Sequence, residues 1–358
     1  MSFAKRDRQP RSASIPNCYN TIVKSKVAKN YKETNYFSKR FIKEKVAVAS
    51  YLLKHNGVLK AILLSGIYTL YHLHKYLLLK KDRKLSMSPK KIKLFTGQDF
   101  YISMQDSGLS FDLNYYQKRE PVATDLMLKL ARNRKPIIFM DIGANLGYYS
   151  KLLEPYCSKI IAVEPNKRAL PHLYKNLGKN EKIRILEGAV GTTKNLYLQE
   201  KQEFNLSSIH TTKGNYKVKT YNLYDLLKKY KPNLIKMDVE GYEFSILNEN
   251  LKKIKSLPEI LFVEVHFNKT TKETAIKLFE NLRASKYKVG WAIWEHKGPH
   301  YLTKKFVIWK FLDKLLVKIF GGKTVLCKNM GIDEFITEYS FVLEGKLGAI
   351  EFIFERKE

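Results

Sequence analysis

Acids and one histidine stand at the ends of apolar runs in this chain, and that placement has chemical meaning. Asp141 closes IIFMD and is followed by Gly143, Ala144, Asn145 and Gly147. Glu164 closes KIIAVE, Asp238 and Glu240 close NLIKMDVE, and Glu264 and His266 lie at the end of EILFVEVHF. Strands buried in a parallel sheet read as such apolar runs, and open α/β sheets bind ligands at the carboxyl ends of their strands. Glycines after the first run let the backbone turn tightly and approach a ligand closely. In nucleotide-binding folds an acid about 20 residues further on binds a ribose diol, and Glu164 lies 21 residues after Gly143. Asp141, Gly143, Gly147 and Glu164 together describe a site for a nucleoside-containing cofactor.

The loop reads Gly-Ala-Asn-Leu-Gly. A dinucleotide would call for Gly-x-Gly-x-x-Gly, with pyrophosphate on a helix amino end. S-adenosylmethionine has no phosphate; it carries an ammonium, a carboxylate and a sulfonium. An acid beside the first turn can hold the ammonium side, directly or through water, which favours S-adenosylmethionine over NAD. Taken alone, Asp141 reads equally as a residue capping the turn into a helix.

The elements that must position these residues follow in regular alternation. The run at 137–141 precedes a helix near 147–156, 159–164 a helix near 168–178, and KIRILEGAV (182–190) forms a third strand. LYLQE (196–200) and YKVKTY (216–221) read as an inserted hairpin, followed by the helix YNLYDLLKKY. Residues 233–240 precede the helix YEFSILNENL, and 259–267 precede KETAIKLFENLRAS. YKVGWAIWEH (287–296) and GAIEFIFERK (348–357) supply the last two strands, antiparallel. Strands alternating with helices of this length give an α/β fold with a mostly parallel, doubly wound sheet covered on both faces. Upstream, 121–133 has proline at a helix start, residues 91–115 read as short strands (KIKLF and FYISM), and 46–84 as helix.

The order of the motifs resembles the FkbM family of S-adenosylmethionine-dependent methyltransferases. It rests on Asp-Ile-Gly-Ala-Asn-Leu-Gly-Tyr-Tyr-Ser at 141–150, Val-Glu-Pro-Asn at 163–166 and Gly-Ala-Val-Gly at 188–191. Lys-Met-Asp-Val-Glu-Gly-Tyr-Glu at 236–243 and Val-Glu-Val-His at 263–266 follow. The resemblance covers about 94–295. It implies a class I methyltransferase fold with a seven-stranded sheet, acting on oxygen of sugars or small natural products. It also implies that Asp141, Gly143, Ala144, Asn145 and Gly147 form the cofactor loop, that Glu164 binds ribose, and that backbone at Ala189 and Val190 flanks adenine.

Asp238 and Glu240 abut an apolar strand end, which is costly for acids without a purpose, so both are read as catalytic-site residues. Glu243 reads as an acid favoured by a helix amino end. His266 lies two residues after Glu264 and shares its face of the strand; there it can accept the proton of an attacking hydroxyl, or serve structurally. Asp238, Glu240, Glu264 and His266 offer an alternative, a hard metal ion, but no ligand spacing demands one. Ser207 and Ser208 are read as lining.

The 358 residues carry a net charge of +31. Residues 1–93 hold 22 Lys/Arg against 4 Asp/Glu, a basic, partly helical extension that favours anionic partners. The methyltransferase domain is expected over 94–300 and 344–358, with an insertion at 301–343. The cysteines, Cys18, Cys157 and Cys327, form no Cys-x-x-Cys, which suits a reducing compartment. No secretory signal is visible. Between Lys60 and Lys75 the uncharged stretch is shorter than the about 20 residues of a spanning helix, so 57–80 reads as amphipathic or buried. In 303–320, Lys310, Lys314 and Lys318 share one helical face, with Phe306, Trp309, Leu312, Leu316 and Ile319 on another. Such a pattern suits a helix lying in a membrane interface; the alternative is a helix packed on the domain with a solvated lysine face. The expected location is cytoplasmic, attached peripherally to an anionic membrane, with a glycan, glycolipid or small-molecule hydroxyl as acceptor. The rival reading is an RNA-binding methyltransferase using the basic arm. Against it, Asp238-Val239-Glu240-Gly241 stands where base methyltransferases usually carry Asn/Asp-Pro-Pro-aromatic, and these acids repel phosphate.

Overall fold

The computed structural model of the chain describes residues 89–356, apart from 105, 107, 135, 202–203, 255–256, 295–324 and 345–347. The helix expected at 46–84, the apolar stretch 57–80 and the basic helix at 303–320 lie outside the described residues. Among the described residues no helix is long and apolar enough to cross a membrane.

Strand β1 (Lys90–Lys93) pairs antiparallel with β2 (Asp99–Ile102). Helices α1 (Leu109–Tyr116) and α2 (Pro121–Asn133) follow. Helix α1 falls where short strands were expected. Leu109, Phe111 and Leu113 alternate as in a strand, but Ser110 and Asp112 between them are buried as well, so burial over 109–113 follows no two-residue alternation. Then come β3 (Ile137–Ile142), α3 (Tyr148–Leu153), β4 (Cys157–Glu164), α4 (Leu170–Leu177) and β5 (Ile183–Glu187). The expected third strand is broken at Gly188, whose φ is +151°. Its continuation, β6 (Ala189–Val190), leaves the sheet to pair elsewhere. The insertion holds β7 (Leu196–Gln199), β8 (Ser208–His210) and β9 (Tyr216–Val218), so it has three antiparallel strands where a hairpin was expected. Strand β10 (Thr220–Tyr221) pairs with β6. Helix α5 (Leu223–Tyr230) is capped by Asn222, whose side chain accepts the Tyr224 N–H at 2.8 Å. The chain continues with β11 (Leu234–Met237), α6 (Glu243–Asn250), β12 (Ile260–His266), α7 (Lys272–Ala284), β13 (Tyr287–Ile293), β14 (Val325–Met330), α8 (Ile332–Glu338), α9 (Ser340–Leu343) and β15 (Ala349–Arg356).

The main sheet runs β14-β13-β15-β12-β11-β3-β4-β5. Strands β5, β4, β3, β11 and β12 are parallel, and β15 runs against β12 and β13. This is the class I methyltransferase arrangement. It has eight strands and not the expected seven, because β14 adds an antiparallel edge to β13. The last two expected strands, β13 and β15, are antiparallel to one another; β13 therefore points the same way as β12.

Alternate residues of the central strands feed two hydrophobic layers. Phe139, Ile160 and Phe262 pack on one side, Met140, Ile161 and Val263 on the other. Each such side chain contributes about 1.5–3 kcal/mol on burial. Phe267, just past β12, packs edge-on against Phe244 and Phe352 and stacks on Phe279, which anchors the carboxyl end of β12. Strand order reverses between β3 and β11, so the ligand crevice belongs at their carboxyl ends.

Candidate active site

The loop after β3 is tied down from two sides. Gly143 and Ala144 both donate to the Val163 carbonyl, at 3.0 and 3.1 Å, and Asp238 N–H donates to the Ile142 carbonyl at 3.0 Å. Gly143 has φ +82°, and a Cβ there would stand 1.9 Å from the Asp238 carbonyl oxygen. Only glycine lets the loop touch the end of β11. Glu164 joins the next two turns: its Oε2 accepts Asn145 N–H and its Oε1 accepts Asn166 N–H, each at 2.7 Å. Burial pushes the Glu164 carboxyl up to about 7, against the pull of those two N–H groups. Each oxygen retains a lone pair for a ligand hydroxyl.

A cleft opens there. Gly143, Asn145, Glu164, Ala189, Val190, Asp238 and Glu240 line it, together with Pro165, Leu198, Phe204, Ser207 and Ile209. The sequence reading missed most of that apolar wall, because it comes from the insertion; the NLSSI segment was its one trace. Ser208 turns away and meets His210 at 3.0 Å.

Asp141, Ala144 and Gly147 do not line the cleft. Asp141 is buried beneath the loop, where it accepts the Ser150 hydroxyl at 2.7 Å. Burial raises its carboxyl although Lys236 opposes the shift. It braces the loop through Ser150. Ala144 is buried in the core. Gly147 starts α3 against α4, with no room for a Cβ, which would lie 2.8 Å from both Leu173 and Leu177.

The cleft fits S-adenosylmethionine. Asn145 Oδ1 and Asp238 Oδ1 are buried acceptors with no partner in the protein, matched to ligand N–H and O–H groups. Glu164 suits a ribose diol, and Val190, Leu198 and Phe204 suit a flat base.

Beyond Asp238 lies a second layer of charge. Glu243, fully buried at the start of α6, accepts Gly241 N–H at 2.8 Å with one oxygen. Its other oxygen accepts His266 N–H at 2.7 Å and faces His266 Nδ1 at 3.2 Å. His266 Nε2 faces Glu240 at 3.4 Å and Glu264 at 3.8 Å. Burial alone would depress this imidazole; the hydrogen bond and charge of Glu243, with Glu264 and Glu240, outweigh it and push it up to about 10. These acids favour the imidazolium form of His266, whereas the expected base needs the neutral ring. Asp238, Glu240 and His266 bring oxygen and nitrogen atoms within 4.8 Å of one another.

Lys236 was also missed, although a lysine inside an apolar run is a signal of a buried pair. It stands opposite Asp141 in the sheet, lies 3.4 Å from Asp238 Oδ2 and sits over the Tyr149 ring. Burial opposes its charge, but Asp238 and Asp141 hold it protonated. Asp238 is raised by burial and lowered more by Lys236 and His266, so it stays ionised. Glu240 is raised, chiefly by burial. Burial and the Asp238 charge push Glu264 up to about 8.

Residues 141–289 match the methyltransferase FkbM domain. No curated protein matches the chain. Among solved structures it is similar to M. jannaschii TYW2 in complex with AdoMet (13% identity, 76% of this chain and 89% of that one, TM-score 0.38). Similar too are a SAM-dependent methyltransferase from Agrobacterium tumefaciens (10%, 76% and 72%, 0.39) and precorrin-6y C5,15-methyltransferase from Geobacter metallireducens (16%, 48% and 74%, 0.31). Over residues 141–289 the chain is similar to the methyltransferase FkbM domain, and it is a methyltransferase that uses S-adenosylmethionine.

Proposed function

We propose that this enzyme methylates a hydroxyl of a sugar, glycan or other polyhydroxylated molecule. The observation that carries the reading is the acidic wall facing the cleft: Asp238 and Glu240 line it, with Glu264 behind them. Carboxylates accept hydrogen bonds from hydroxyls and repel phosphodiesters. Bound S-adenosylmethionine supplies a methyl on sulfonium, already activated for in-line displacement. Glu164 and Asn145 hold it, with Ala189 and Val190 along the base. Asp238 and Glu240 orient the acceptor hydroxyl, and Glu243 positions His266 as a fixed cation behind them. Most of the rate comes from positioning and water exclusion, with a carboxylate taking the hydroxyl proton. The test is transfer of labelled methyl from S-adenosylmethionine to soluble glycans, glycolipids and RNA in parallel. Labelling of RNA alone overturns the reading and favours the basic arm as an RNA tether. As part of the same reading we place the enzyme at the cytoplasmic face of an anionic membrane, on the strength of the basic and apolar segments 57–80 and 303–320.

A further inference from the structure

Asp106 does not line the cleft, yet it is a buried acid. Its side chain accepts three backbone N–H groups. Oδ2 takes Ser110 at 2.9 Å and Oδ1 takes Gly108 at 3.1 Å, both at the entry to α1. Oδ1 also takes the Phe204 N–H at 3.1 Å, 98 residues further along the chain. A carboxylate has acceptor sites for all three. Phe204 opens the short turn between β7 and β8, and it lines the cleft. Arg168 backs it, the guanidinium carbon 4.4 Å from the ring centroid, and His172 meets it edge-on at 6.3 Å. Arg168 also donates to the Lys201 carbonyl at 2.9 Å. Beyond Phe204, the turn is tied to the ribose acid: Glu164 accepts Asn166 N–H, and Asn166 Nδ2 donates to Ser207 Oγ at 3.2 Å. The wall that the insertion gives the cleft is therefore held at three points. Two of them, Asn166 and Arg168, follow β4; the third, Asp106, comes before β3.

We propose that Asp106 is a positioning residue for S-adenosylmethionine: by fixing the Phe204 backbone it holds that ring against the adenine. Asp106 touches no ligand itself. Without its carboxylate the Phe204 N–H is left buried and without an acceptor, which is costly. The turn relieves that cost by moving toward water, and the ring leaves the base with it. The same carboxylate sets the entry to α1, so the segment ahead of the sheet and the cofactor wall are one unit. The inference rests on the placement of the base against Phe204 and not on the acceptor, so it stands or falls apart from the hydroxyl reading.

The test is a double-mutant cycle on S-adenosylmethionine affinity, measured by calorimetry on the full chain without any acceptor. Phe204→Ala should weaken binding by about 5- to 150-fold, as for loss of an aromatic ring stacked on a base. Asp106→Ala should weaken it by at least about threefold when Phe204 is present. In the Phe204→Ala background it should have no further effect, because the group it positions is gone. Asp106→Asn keeps an oxygen that can accept the Phe204 N–H and should recover most of the affinity. An equal loss from Asp106→Ala with and without the Phe204 ring would assign Asp106 to the fold alone and overturn the proposal. So would Phe204→Ala binding as tightly as wild type. Should Asp106→Ala not fold, hydrogen exchange on the wild-type chain decides. Gly108 and Ser110 do not line the cleft, but coupling is reciprocal, so S-adenosylmethionine should slow exchange of both their amides. Exchange there that ignores the cofactor overturns the proposal.

Discussion

One oxygen of Glu243 serves two donors of His266, the backbone N–H at 2.7 Å and Nδ1 at 3.2 Å. That contact makes the histidine a cation and fixes its ring. It also has consequences for stability. The folded-state pKa of His266, about 10, lies above its ordinary 6.5. Its contribution is therefore complete below pH 6.5 and is lost as pH rises through 10. Glu264, raised from 4.5 to about 8, acts in the same direction. The midpoint of urea unfolding should decline steadily from pH 7 to 10. Glu243→Gln should flatten the part above pH 8; an unchanged slope would mean that His266 is not held charged.

Gly143→Ala should disable cofactor binding. The residue is at φ +82°, and its Cβ would strike the Asp238 carbonyl, so the loop must move away from β11. Gly97→Ala is the comparison: φ is +84° but nothing lies within 4 Å. It should cost about 1–2 kcal/mol of stability and leave S-adenosylmethionine affinity intact. Calorimetry on the two variants separates loop strain from the collision.

Glu164→Ala removes the acceptor for two loop N–H groups and for the ribose. Affinity for S-adenosylmethionine should fall by about 1.5–3 kcal/mol. An unaltered dissociation constant would exclude this carboxylate as a ligand.

Lys236→Met keeps the length of the side chain and removes its charge. Asp238 and Asp141 would be left without their shared cation, at a cost of about 3–5 kcal/mol. Chemical denaturation measures the loss. A variant as stable as wild type would show that Lys236 contributes little to holding these acids ionised.

Peripheral attachment predicts that the full chain co-sediments with anionic liposomes at low salt, less so at high salt. Replacing Lys310, Lys314 and Lys318 by Glu should weaken binding, each basic residue contributing about 1 kcal/mol near an anionic leaflet. Wild-type protein remaining in the supernatant would reject the membrane and turn attention to RNA.

The alternating apolar runs and helices were legible in the sequence because side-chain burial in a parallel sheet depends on local pattern. So were the acids at the strand ends and the glycine at 143, whose backbone demands are local. The tertiary structure decided which acids reach the cleft and which ones brace it: Asp141 lies one pleat below the loop, tied to Ser150. It decided that the histidine is a cation, because its charge is set by Glu243, 23 residues away in sequence. It also decided that Val325–Met330 closes the sheet edge. Charge state and edge pairing depend on burial and on partners remote along the chain, and no local pattern records either.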